Sequence, residues 1–155
     1  PRVALYFENS LEKQDLELLP AAASTARISQ PEPDELMIDG RATSRVQWNG
    51  NVEVDGQLWP IQAGNVVLLP SGKHRLTPGF SDPAVRLSDF NGEIRRAIAE
   101  RGRVDLSYRS NTRAIAKLAT PASAIEVDGQ PYGKAAPIGD FVMLPAGQHI
   151  VSFVP

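Results

Sequence analysis

From Leu36 to Pro78 the apolar residues fall in short runs of alternating or continuous hydrophobicity, separated by turn dipeptides. "ATSRVQW", "NVEVD", "QLWPI" and "NVVLLP" have the length and the β-branched content of strands. Asp39-Gly40, Asn49-Gly50 and Asp55-Gly56 suit tight hairpin turns, whose positive φ angles glycine adopts without a Cβ clash. The same rhythm returns after Arg103, where "VDLSYR", "RAIAKLA", "AIEVD", "QPYG", "DFVMLP" and "HIVSFVP" supply six more strand candidates. Between the two regions the period changes. In Leu87–Gly102, Phe90, Ile94, Ala97 and Ile98 share one side at helical spacing, and Gly102 stands where a helix C-cap belongs. The pattern predicts a helix there.

The start of the chain is written differently. "RVALYFE" (Arg2–Glu8) reads as a buried strand, and Asn9 with Glu12 forms a capping box ahead of a helix whose face is Leu11, Asp15, Leu16, Leu18 and Leu19, perturbed by Pro20. "SQPEPDE" (Ser29–Glu35), with its two prolines, reads as a linker. A lone strand-helix unit before a β-rich region is what the tail of an upstream α/β domain leaves behind. The first residue is Pro, and the expectation is a piece of a longer protein.

The two β regions are copies of one another. Val54, Gly56, Gln57 and Trp59 match Val127, Gly129, Gln130 and Tyr132 around the aspartates Asp55 and Asp128. After a two-residue insertion in the second copy, Leu69-Pro70, Gly72 and His74 match Leu144-Pro145, Gly147 and His149. Each copy therefore closes on "LPxGxH". Two copies are too few for a solenoid. The expected fold is mainly β: two repeated small antiparallel β-sandwich units, one intervening helix and an N-terminal strand-helix segment. The boundaries are residues 1–28 for that segment, 29–80 for the first β unit and 81–155 for the helix plus the second β unit.

Composition narrows the function classes. At 42% hydrophobic and 22% charged residues the chain has the make-up of a globular domain. No apolar run reaches the roughly 20 residues of a membrane span. The absence of cysteine removes disulfides, thiolate nucleophiles and the usual structural zinc sites. A net charge of −2 gives no general attraction to nucleic acid. Residues 1–39 carry three basic and eight acidic side chains, and residues 93–117 seven basic and three acidic. Two solvated faces, or two segments that dock on each other, account for this.

The pattern "VDG…LPxGxH" followed by an apolar strand resembles PEGA-type β modules of bacterial surface and envelope proteins, over Arg41–Pro78 and Val104–Pro155. The Pro-Glu-Gly-Ala tetrapeptide that names that family is absent. "SYRSNTRAIAKLATPASAIEVDG" also looks like the C-terminal β modules of bacterial carbohydrate-active or envelope-anchored enzymes. The resemblance implies an accessory, non-catalytic role at the cell surface or in the periplasm, next to a neighbouring domain of the same parent chain. The alternative is the C-terminal part of a carbohydrate-active enzyme whose catalytic site lies upstream of Pro1.

Candidate chemistry is sparse. His74 and His149 are the only histidines and hold equivalent places, so each is expected to hydrogen-bond near its turn and start the last strand. Trp48, Trp59 and Tyr132 are the rings a carbohydrate would stack on, and equally the rings a β core would bury. Asp55 and Asp128 precede glycine in matched turns, which explains them without a metal. GxSxG, GxxxxGK[ST] and HExxH are absent. The reading names no catalytic residue, metal or cofactor.

Overall fold

A computed structural model describes residues 26–133 and 139–155. The strand at Arg2–Glu8 and the helix after Asn9 expected from sequence lie outside those residues. The described residues open with a hairpin, β1 (Ala26–Glu32) and β2 (Glu35–Gly40), turning at Pro33-Asp34. The segment read as a linker is thus strand. Its prolines sit on an edge strand and in the turn, where no ladder donor is lost. There follow β3 (Ser44–Gln47), β4 (Val52–Val54), β5 (Gln57–Leu58), β6 (Gln62–Ala63), β7 (Val66–Leu69) and β8 (Gly72–Pro78). The second half runs β9 (Leu87–Phe90), β10 (Glu93–Glu100), β11 (Arg103–Ser110), β12 (Ala114–Leu118), β13 (Ala124–Val127), β14 (Gln130–Pro131), β15 (Phe141–Leu144) and β16 (Gly147–Val154).

These strands form four antiparallel sheets, and there is no helix among the described residues. The expected pair of sandwich units around a helix is therefore corrected. Residues 87–102 hold β9, all of β10 and the turn that follows it. The reason lies in one bulge. Between Ile94 and Arg96 the register of β10 against β11 slips, so Arg95 and Arg96 both face solvent while Ile94 and Ala97 face the core. An inward spacing of three within a strand imitates a helical period. Gly102, read as a helix cap, instead closes the β10–β11 hairpin together with Arg101, both at positive φ (74° and 51°).

The duplication extends to the pairing of the five-stranded sheets. The five-stranded sheet β1-β2-β8-β4-β5 is repeated strand for strand as β10-β11-β16-β13-β14. Each unit adds a three-stranded sheet, β3-β7-β6 in the first and β15-β12-β9 in the second. Alternation packs the inner faces: Ser44, Val46, Val67 and Leu69 of one small sheet, and Ala114, Ala116, Val142 and Leu144 of the other, are buried. One apolar core runs through both units, from Ile38 and Leu76 to Val151 and Phe153.

The units meet at a defined joint. Ile61 and Leu87 form a parallel bridge beside β6 and β9, and Leu87 N donates to Pro60 O at 2.9 Å. In the five-stranded layer, β10 lies against β5. Arg86 ties the joint with polar bonds: its guanidinium donates to Gln62 Oε1 (3.1 Å), Asn51 Oδ1 (2.8 Å) and Asp82 Oδ1 (2.9 Å). Gln62 is itself buried and donates to Gly50 O and Gly64 O. A further bond across the joint, Arg45 to Asp89 at 2.9 Å, is solvent-exposed on both sides.

Candidate functional site

The residues that define the repeat converge on two equivalent constellations. In each, the aspartate of the Asp-Gly turn sits at positive φ (54° for Asp55, 52° for Asp128), followed by glycine at 76° and 75°. Both central residues at positive φ make the turn type whose twist matches the flanking strands. From that position the carboxylate reaches the last strand of its unit. Asp55 Oδ1 accepts from Arg75 N at 2.9 Å, and Oδ2 accepts from His74 Nδ1 at 2.8 Å. In the second unit Asp128 Oδ1 accepts from Ile150 N at 3.0 Å and Oδ2 from His149 Nδ1 at 2.7 Å. The aspartate backbone adds N–H bonds to Arg75 O and Ile150 O, both 2.8 Å. Each aspartate thus clamps its hairpin turn onto the strand that follows "LPxG".

The glycine of "GxH" completes the clamp. Gly72 and Gly147 have φ of 129° and 120°, where side chains are strained. A Cβ there would also stand 3.3 Å from His74 Nε2 and 3.0 Å from His149 Nε2. The glycine is required because the imidazole lies over it.

The two rings differ at their far nitrogen. His149 Nε2 faces Ala146 O at 3.0 Å, so both of its nitrogens address acceptors and the doubly protonated imidazolium satisfies both. Its pKa is accordingly raised above the ordinary 6.5, first by the Asp128 hydrogen bond, and burial only partly opposes this. Asp128 is held below its ordinary 3.8 by the bond from His149 and then by that from Ile150 N. His74 Nε2 is buried and has no hydrogen-bond partner. The residue opposite each histidine also differs: Ile38 faces His74, and Tyr108 faces His149 with ring centroids 5.9 Å apart. Tyr108 is fully buried and donates from its hydroxyl to Pro145 O at 2.8 Å; burial pushes its pKa up to about 12.

The three aromatic candidates occupy different surroundings. Trp59 is in the core, its indole donating to Leu68 O at 2.9 Å. Tyr132 is half-buried against that core and matches Trp59 down to its backbone bond: Trp59 N reaches Val52 O and Tyr132 N reaches Ile125 O. Trp48 is also half-buried, with its indole N–H bonded to Asn51 O. It lines an open cleft of about 450 Å³ together with the polar Gln30, Asp34, Gln47, Asn49 and Asn65 and the apolar Pro33, Leu36 and Pro78. This cleft is what sequence reasoning missed. It joins the β1–β2 turn, the end of β3 and the end of β8, which are far apart in the chain, and no local pattern announces it. A second open groove is lined by Asn91, Gly92, Glu93, Arg109, Ser110 and Asn111 and is mainly polar.

Among the described residues no group of three or more His, Asp or Glu side chains is placed to hold a metal ion. No described helix is long and apolar enough to cross a membrane. Comparison with family models, curated proteins and solved structures finds no match to this chain.

Proposed function

We propose that the chain is a non-catalytic β module that docks or spaces neighbouring domains of a larger protein. The observation that carries this is the state of the two Asp-His pairs. An Asp-His pair does acid-base work only when the imidazole nitrogen remote from the carboxylate is free to exchange a proton with a reacting group. Here that nitrogen is engaged by Ala146 O in one unit and buried in the other. The duplicated residues are used up in holding turns, and duplication of a turn is what a repeated structural unit needs. The test is to assay the isolated chain against panels of glycosides and esters. No turnover is expected, and saturable turnover abolished by His149→Gln or His74→Gln overturns the reading.

Glycan contact is a second reading, favoured by the Trp48 cleft. Its volume falls in the range of small-ligand sites. A lining that combines Trp48 and apolar side chains with four amides and one carboxylate suits the hydrophobic face and the hydroxyls of a neutral pyranose. Titration calorimetry against neutral cell-wall and plant oligosaccharides decides it. Binding that Trp48→Ala removes while the melting temperature stays within a few degrees supports the site. Binding that survives Trp48→Ala places any glycan elsewhere.

A further inference from the structure

The sequence places seven basic side chains between residues 93 and 117, and the structure sorts them. Arg95, Arg101, Arg103 and Lys117 lie within 3.9 Å of Glu93, Glu100, Asp105 and Asp140. Arg96, Arg109 and Arg113 are exposed and form no ion pair among the described residues. These three gather at one place. Arg109 lines the open polar groove of about 440 Å³ with Asn91, Gly92, Glu93, Ser110 and Asn111. Arg96 pairs with Ser107, two positions before Arg109, so Arg96 and Arg109 are diagonal neighbours on one face of the sheet. Arg113 follows Asn111 by two residues in the turn into β12.

The groove is rich in hydrogen-bond donors. Asn91 Oδ1 accepts from Ile115 N at 2.7 Å, which leaves its Nδ2 for a ligand, and Ser110 and Asn111 add a hydroxyl and a second amide. The lining is bare backbone at Gly92, because a Cβ there would stand 2.7 Å from the Phe90 ring. Glu93 lies opposite Arg109 in the register, yet its ionic partner is Arg95 at 3.3 Å, so Arg109 is not neutralised across the strands. The fold itself asks for no cation here. Ile38 and Tyr108 are counterparts, each opposite its histidine, and this aligns Asp39 of the first unit with Arg109 of the second.

We propose that this groove binds a saccharide chain that bears carboxylates, a polyuronate. The planar guanidinium of Arg109 meets a carboxylate with two parallel hydrogen bonds. Arg96 and Arg113, on either side, meet the carboxylates of flanking sugar units. Glu93 sets the ligand class, because an ionised carboxylate only accepts. The ligand must bring hydroxyls beside its negative charge, as a uronate does and a bare polyanion does not. Single-stranded nucleic acid stacks its bases on exposed rings, and the rings at hand, Phe90 and Tyr108, are 3% and 0% exposed. A bilayer surface has nothing apolar to meet, since no apolar side chain lines the groove. The site is separate from the Trp48 cleft and does not depend on a ligand there.

The experiment is a titration of the isotope-labelled full chain with an oligogalacturonate, followed by backbone amide shifts. A neutral oligosaccharide of equal length and an oligodeoxythymidylate are the comparison probes. Oligogalacturonate should move the amides of Gly92, Glu93, Ser110 and Asn111, and the neutral probe should not. Arg109→Gln should weaken binding about tenfold to hundredfold, as the loss of charge-assisted hydrogen bonds does. Arg109→Lys should weaken it nearly as far, because the ammonium keeps the charge and loses the two-point fit. Arg96→Gln should weaken it less and flatten its dependence on salt. Both arginines are exposed, and thermal melts verify that the variants fold. Trp48→Ala should leave this binding unchanged; its loss there would place the uronate in the other cleft and overturn the proposal. Full affinity in Arg109→Gln or Arg109→Lys overturns it too, as does oligodeoxythymidylate binding as tight as the uronate, or no amide shift at about 5 mM ligand.

Discussion

At the residue scale, the clamp has a definite dependence on pH. His149 has a raised pKa, so its contribution to stability is fully present below 6.5 and is lost as pH rises through the higher folded value. Asp128 has a lowered pKa, so its contribution is present above 3.8 and is lost as pH falls through the lower folded value. The pair is therefore worth most between those two ordinary values. The stability gap between wild type and His149→Gln, measured by urea unfolding, should be widest at about pH 4–6.5 and narrow on the alkaline side. A gap that widens above pH 8 contradicts the assignment of His149 as imidazolium. The glycines give a second expectation at this scale. Gly56→Val and Gly129→Val each force a β-branched residue to a φ near 75° and should cost about 1–3 kcal/mol. Melting temperatures within a degree of wild type for both would show the turn tolerates other conformations.

The aspartates, glycines and histidines of the repeat were legible in the sequence because a duplicated motif marks residues that do one job twice. The carboxylate-to-imidazole bond was not, since Asp55 and His74 are brought together by the crossing of a turn over a distant strand. The unpaired Nε2 of His74 was equally invisible, as burial of one atom depends on everything packed around it.

At the scale of elements, β10 is the strand whose pattern most needs explaining. A reader of apolar spacing sees Phe90, Ile94, Ala97 and Ile98 and infers a helix; the strand produces the same spacing by bulging at Arg95. Arg95 is the extra residue, so deleting it restores strict alternation and leaves both Ile94 and Ala97 facing the core. Deleting Arg95 and Arg96 together instead makes Ile94 and Ala97 neighbours on opposite faces, and one of them must leave the core, where they are 1% and 2% exposed. The double deletion should cost roughly 2–5 kcal/mol, of the order found when large core side chains are lost, and the single deletion much less. Equal effects of the two deletions, measured by chemical denaturation, would remove the bulge from the explanation. The Arg101-Gly102 turn teaches the same lesson, because glycine after a basic residue is as good a helix cap as it is a hairpin turn, and only the pairing of Glu100 with Arg103 decides.

At the scale of the molecule, the two units share one core and a polar joint, and their stabilities are expected to be coupled. Arg86 is the informative residue, because its guanidinium serves Asn51 and Gln62 of the first unit while its backbone serves the second, accepting from Ala119 N and donating to Thr120 Oγ1. Arg86→Ala leaves Gln62 Oε1 without its donor in a buried setting, at a cost of about 1–3 kcal/mol. Removing the stranded amide as well, in Arg86→Ala with Gln62→Leu, should cost less than the sum of the two single changes, since both single variants break the same bond. By contrast, His74→Gln and His149→Gln touch separate clamps in separate units, and their costs should add to within about 0.5 kcal/mol. Calorimetry supplies the common readout. One transition with equal calorimetric and van't Hoff enthalpies is expected for the wild type, because a core continuous from Ile38 to Phe153 leaves neither unit its own interior. Two transitions, each moved by only one of the histidine substitutions, would mean that the units fold independently and that the joint is a contact between finished domains.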